Sequence, residues 1–189
     1  YSSKIIIDLM KKNKLRVFDI KNSKINGGSS RYFITHENSD YKTNYKKIAK
    51  ILSEERKYKL EKKESFFKFY KKINLIKLKI VKVLNDIIFD KKIIHGYGAS
   101  TKGNVILQYC NIDSKILPFI GEVNKFKYNK FTPGSKIKII SDEKFNNWKI
   151  KYALLLSWNY KDFFLKKSDF IKNGGKFIIP FPRPHIIGK

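Results

Sequence analysis

The chain is poor in the residues that most often announce a function. Of its 189 residues one is cysteine, Cys110, so an internal disulfide framework is excluded and a lone thiol fits a reducing, cytoplasmic setting. Its three histidines, His36, His95 and His185, are far apart and show no metal-ligand spacing, and no Ser-His-Asp or Cys-His arrangement is present. No run approaches the ~20 consecutive apolar residues of a membrane span, and no signal peptide is visible. Acidic residues are scarce, 16 against 42 basic, for a formal net charge of +26. Only Arg16, Arg31, Arg56 and Arg183 are arginine, and only Ala49, Ala99 and Ala153 are alanine. Abundant Lys, Ile, Asn, Phe and Tyr with little Arg, Ala, Gly or Pro is the residue set of an AT-rich genome. The lysine excess therefore reads as a solvated background that steers anions. Readers of nucleic acid lean on the planar arginine fork, so a lysine-rich nucleic-acid-binding module is the alternative reading.

What is present is a chain able to fold, with 42% hydrophobic residues and length for one domain or two small ones. Residues 1–36 read as the end of a domain. A short helix starts at Ser2 or Ser3 and runs to Asn13, followed by strands at 15–20 and 31–35 around the turn Asn26-Gly27-Gly28-Ser29. Such a unit needs more sheet than the chain supplies, and the chain opens on Tyr1 rather than Met, so truncation at the N-terminus is expected. Residues 37–91 read as a helical connector. Phe66, Phe69, Ile73, Ile76, Ile80, Val83 and Ile87 alternate steps of three and four, which suits packing on the domain that follows or a coiled coil. Residues 92–189 alternate strands (92–97, 116–123, 136–140, 152–158, 176–180) with helices (101–109, 142–147, 160–172). That alternation predicts an α/β fold, a Rossmann-like, mostly parallel sheet that binds ligands at the carboxyl ends of its strands. No internal repeat or disordered linker is seen.

One such strand end carries the most informative stretch, His95-Gly96-Tyr97-Gly98-Ala99-Ser100-Thr101-Lys102-Gly103-Asn104. A glycine-bearing turn between a strand and a helix N-terminus offers backbone N–H groups and a positive dipole end to a phosphate. It is not a P-loop, because Lys102 precedes Gly103, and Thr101 stands where the dinucleotide pattern has its third glycine. A nicotinamide-dependent oxidoreductase is therefore disfavoured. Gly96 and Gly98 would let the backbone approach a pyrophosphate, Ser100 and Thr101 offer hydroxyls or a helix cap, and Lys102 offers a charge; a plain tight turn is the alternative. Arg31 follows a glycine turn, either a simple hairpin or a clamp for a phosphate or sugar oxygen together with Ser29. Trp158 and Asn159 close an apolar strand, as a platform with an amide beside it or as core and cap. Glu122, at another strand end, binds a hydroxyl or simply begins the loop.

Taken in order, these motifs resemble the sugar C-methyltransferases that act on nucleotide-linked deoxysugars with S-adenosylmethionine. Tyr97-Gly98-Ala99-Ser100-Thr101-Lys102-Gly103-Asn104 matches the family's Tyr-Gly-Ala-x-x-Lys-Gly-Asn. A strand ending in Glu122, where many members have Asp, leads to Asn124-Lys125-Phe126-Lys127. Thr132-Pro133-Gly134-Ser135, Trp158-Asn159 and Gly174-Gly175-Lys176-Phe177, running on to Pro180, follow in the family's order. The match covers 92–182, and the segment 26–31 resembles the end of the family's methyltransferase domain.

The resemblance implies a tail of a class I methyltransferase domain at 1–36, a connector at 37–91 and a Rossmann-like C-terminal domain at 92–189. It implies a nucleotide-sugar substrate bound by Ser29, Arg31, Gly98, Ser100, Thr101, Lys102, Asn104, Trp158 and Asn159. The family's reaction removes a proton beside the sugar ketone and passes the enolate to the methyl sulfonium. The resemblance places the base, a Glu-His pair, the S-adenosylmethionine loop and the zinc-ligand cysteines outside this chain, so no catalytic residue is assigned within it.

Overall fold

The structure, a computed structural model, describes residues 1–148 and 150–188, with Asn26 by its backbone alone. It contains two compact units, one over Tyr1–Lys71 and the other from Lys72 onward.

In the first unit, helix α1 (Ser3–Lys12) begins where the Ser2 side chain accepts the N–H of Ile5 and ends on Lys11 and Lys12, which suit the negative end of its dipole. Strands β1 (Leu15–Ser23) and β2 (Ser29–His36) pair antiparallel around a 3-10 turn at Ile25–Gly27, as the glycine turn predicts. A bulge at Phe18 shifts the register between Val17 and Asp19. Helix α2 (Tyr45–Lys57), capped by Asn44, completes the unit over a small core of Val17, Ile20 and Ile48. The Arg16 guanidinium donates to the carbonyls of Glu37, Ser39 and Tyr41 and to Thr43, pinning the 37–43 segment.

Helix α3 (Lys63–Phe89) is long, and its later residues Ile80, Leu84 and Ile87 are buried in the core of the second unit. Phe66 and Phe69, on the same periodic face, are exposed. Beyond it come β3 (Ile94–Tyr97), α4 (Thr101–Tyr109), β4 (Phe119–Glu122), β5 (Lys138–Ser141), α5 (Asp142–Asn147) and β6 (Tyr152–Leu155). Then follow α6 (Lys161–Lys167), α7 (Asp169–Lys172), β7 (Lys176–Ile179) and β8 (His185–Gly188). The six-stranded sheet has the order β5-β4-β3-β6-β7-β8, with β3 to β7 parallel and β8 antiparallel at the edge. This is the mostly parallel Rossmann-like sheet that the alternating pattern predicts.

Both faces of the sheet are covered, and the strands show it by period-two alternation. Leu154, Leu156 and Ile178 enter one core with α3 and Leu107 of α4. Ala153, Leu155, Phe177 and Ile179 enter the other with Phe145 of α5 and Phe170 and Ile171 of α7. Two expectations need correcting. The 160–172 helix is two helices separated at Ser168, and β8 extends the sheet beyond the strands the sequence predicts, its four residues being preceded by Pro180, Pro182 and Pro184. Among the described residues no helix is long and apolar enough to cross a membrane.

Candidate functional site

The strand order places β3 and β6 side by side while the chain leaves them in opposite directions, toward β4 and toward β7. A crevice forms at such a reversal, outside the carboxyl ends of the two strands, and it is where sheets of this topology bind ligands. Two segments meet there, the 98–104 turn with the start of α4 and the 157–160 turn after β6.

The turn is locked by its own backbone. Gly98 has φ +79°, a conformation that disfavours a side chain, and its N–H donates to Gly121 O at 2.8 Å. The N–H of Leu156 donates to Tyr97 O at 2.9 Å. Ser100 is the N-cap of α4. Its Oγ accepts the N–H of Gly103 at 3.0 Å and donates to Leu156 O at 2.9 Å. Across the crevice Ser157 Oγ donates to Gly98 O at 3.2 Å. Thr101, the first residue of the helix, has an N–H without an intrahelical acceptor. The Thr101 and Lys102 side chains are exposed, and Lys102 Nζ stands 6.0 Å from the centre of the Trp158 ring.

Gly98, Ser100, Thr101, Lys102, Asn104, Trp158 and Asn159 are thus gathered at one end of one sheet. The Ser100 hydroxyl acts as the cap. Replacing it removes two hydrogen bonds, and Ser100→Ala should cost about 1–2 kcal/mol. In a chain of this size that lowers the melting midpoint by roughly 2–8 °C, checked by calorimetric melting. Ser29 and Arg31 lie in the other unit, exposed on β2, where Ser29 Oγ donates to Ile25 O at 2.9 Å.

Two buried polar atoms among the gathered residues are left without a partner, Asn104 Oδ1 and Trp158 Nε1. One accepts and the other donates. Unpaired buried groups are uncommon enough to need a reason, and a ligand's polar atoms are one. Sequence reasoning had no access to them, since solvent exposure at atomic level is set by the fold.

Glu122 closes β4 at the next strand end. It is 6% exposed, and Oε1 accepts the N–H groups of Val123 and Asn124 at 2.9 and 3.0 Å. Oε2 pairs with Lys127 Nζ at 3.1 Å, and that ammonium also donates to Ala99 O at 2.8 Å. The loop between is shaped by Asn124, whose side chain accepts the Phe126 N–H at 3.1 Å to open a 3-10 turn at Lys125–Lys127.

Cys110, Tyr97 and His95 are titratable groups buried in the second unit. Burial pushes the Cys110 thiol up, away from a reactive thiolate. Burial and the hydrogen bond to Asp142 push the Tyr97 hydroxyl up. Burial pulls His95 down to about 4, so its imidazole is neutral. Among the described residues no group of three or more His, Cys, Asp or Glu side chains is placed to hold a metal ion.

A Rossmann-like sheet with this turn defines a class, and comparison with known proteins gives it a family. The chain belongs to the C-methyltransferase C-terminal domain family, whose model matches residues 24–182. The match takes in every residue gathered at the crevice. Among curated relatives, C-methyltransferase NovU from Streptomyces niveus is 31% identical over 180 residues, which is 95% of this chain and 43% of NovU. The chain spans less than half the length of that relative.

Proposed function

We propose that this chain is the part of an S-adenosylmethionine-dependent C-methyltransferase that holds a nucleotide-linked deoxy-keto-sugar. The carrying observation is the start of α4, opening into the crevice between β3 and β6 with Gly98 and Ser100 fixed around it. A diphosphate there would meet the positive end of the helix dipole and the Lys102 charge. Trp158 would line the cleft, and Asn104 and Asn159 would offer amides to the nucleoside or sugar. A single free, buried Cys110 suits an enzyme of the cytoplasm.

The described residues do not fit the methyl donor. At this kind of sheet an acid at the end of β4 meets the ribose 2′-hydroxyl that the methyl donor carries and a deoxyribose nucleotide lacks, and Glu122 has both oxygens engaged within the protein. We therefore assign the donor and the catalytic base to regions corresponding to the part of NovU that this chain does not span. The same closure argues against a nicotinamide dinucleotide. What this chain contributes is orientation of the acceptor and exclusion of water around it.

Titration calorimetry with thymidine diphosphate, NAD and a DNA duplex in parallel tests the reading. Thymidine diphosphate is expected to bind and NAD to give no heat. Tight binding of NAD with none of the thymidine nucleotide would overturn it, as would duplex affinity that falls steeply with salt while the nucleotide is ignored.

A further inference from the structure

In the segment Glu122-Val123-Asn124-Lys125-Phe126-Lys127 the middle is exposed, Val123 at 60% and Phe126 at 85%, while the two charged ends are engaged with one another. Lys127 is held, with its ammonium between a buried carboxylate at 3.1 Å and the carbonyl of Ala99 at 2.8 Å. Ala99 lies within the glycine turn itself, between Gly98 and the cap Ser100. The Glu122 side chain is 8% exposed and that of Lys127 40%, so the acid forms the buried end of the pair and the ammonium the open end.

We propose that Glu122 and Lys127 form a strut that fixes a cation at the mouth of the diphosphate site. Lys127 is the group that meets the diphosphate and Glu122 is its positioning residue. The inference rests on the assignment of the 98–104 turn as the diphosphate site.

An ammonium has three N–H groups, and two are directed to Glu122 and Ala99, which leaves one for a ligand oxygen. A lysine on a free four-carbon stem loses rotamer freedom when it captures an anion, and one already fixed does not, so prior fixing strengthens binding. The carboxylate is itself steadied by the N–H groups of Val123 and Asn124, so it orients Lys127 from a rigid base. The Asn124 cap sets the spacing that brings Lys127 back over the turn.

The strut and a simple charge effect predict opposite signs. E122Q removes a negative charge beside an anion site, so plain electrostatics tightens diphosphate binding. If Glu122 positions Lys127, E122Q weakens it. Calorimetry on the full chain with thymidine diphosphate and with thymidine, alongside melting curves, reads the difference. K127M is expected to weaken thymidine diphosphate by about tenfold or more while thymidine is unaffected. K127R, which keeps the charge, is expected to recover part of the loss, and E122Q to weaken the diphosphate by about threefold to tenfold.

The inference is overturned if E122Q binds the diphosphate as well as or better than the parent chain. It is equally overturned if K127M leaves diphosphate affinity unchanged, or lowers thymidine and its diphosphate alike. Should K127M fail to fold, E122Q decides alone, since an amide fills the same volume. A parent chain that binds no thymidine diphosphate overturns the assignment of the turn, and the strut with it. A parent chain that binds while both variants do so equally overturns the strut only.

Discussion

Gly103→Ala is expected to loosen the whole crevice. A Cβ built at Gly103 would lie 2.4 Å from Leu156 Cβ, 2.8 Å from Leu156 O and 3.0 Å from Leu156 Cα. Two of these are main-chain atoms of the segment that leaves β6, so no side chain can turn aside to make room. Helix α4 must retreat from the sheet, and the retreat breaks the Ser100 bond to that same Leu156 carbonyl. Alanine brings about 1 kcal/mol of helix propensity over glycine, but overpacking against a fixed backbone costs about 1–3 kcal/mol and the broken tether about 1 more. The net loss is therefore about 1–3 kcal/mol, read as a lower denaturant midpoint with an unchanged slope. Thymidine diphosphate affinity is expected to fall by tenfold or more. Val105→Ala, at an exposed position of the same helix, should leave both within about 0.5 kcal/mol. A Gly103→Ala chain that melts and binds like its parent would mean that the close packing of α4 is incidental.

Acid should destabilise the second unit through His95. The imidazole is 5% exposed, sits among the rings of Phe119, Phe145 and Trp148, and its Nδ1 has no partner. The charged groups nearby, Lys91, Lys92 and Lys151, line the same cavity and share the sign of a protonated ring. Burial holds the folded pKa at about 4 against the ordinary 6.5 of a free imidazole. Between those values the unfolded chain binds a proton that the folded chain refuses. Stability is therefore whole above about pH 6.5 and falls as pH drops toward 4, by up to about 3 kcal/mol from this group. His95→Phe should remove that slope and, by relieving an unpaired buried nitrogen, raise stability at neutral pH by about 1 kcal/mol. Urea melts at pH 7 and pH 4.5 give the comparison. An identical loss in both proteins would assign the acid sensitivity to other groups.

Helix boundaries were legible where the signal is local. The α4 and α5 segments fall where the sequence places them because Ser100 and Ser141 each cap the N–H three residues on. The sheet strands of the second unit were legible as apolar runs, but β6 ends earlier than its run because apolar residues continue past the last ladder bond at Leu155 into Leu156, whereas β1 and β2 extend beyond theirs into polar residues. Ser168 divides a segment that amphipathic pattern alone joins into one helix. The crevice was legible in outline because glycine, serine and strand ends carry their own geometry. Its tethers were not. The Lys127 contact with Ala99 spans 28 residues and the Ser100 contact with Leu156 spans 56, and nothing in the local chemistry of either partner names the other. The spacing of Glu122, Asn124 and Lys127 was the one available sign.

Leu156 takes part in the crevice almost entirely through its main chain. Its carbonyl receives Ser100, its N–H reaches Tyr97, and its side chain packs into the core with α3 and α4. Truncating side chains one at a time along the chain would therefore register Leu156 as an interior packing position and nothing more. Replacing its amide by an ester would reveal the grip it exerts on the binding turn.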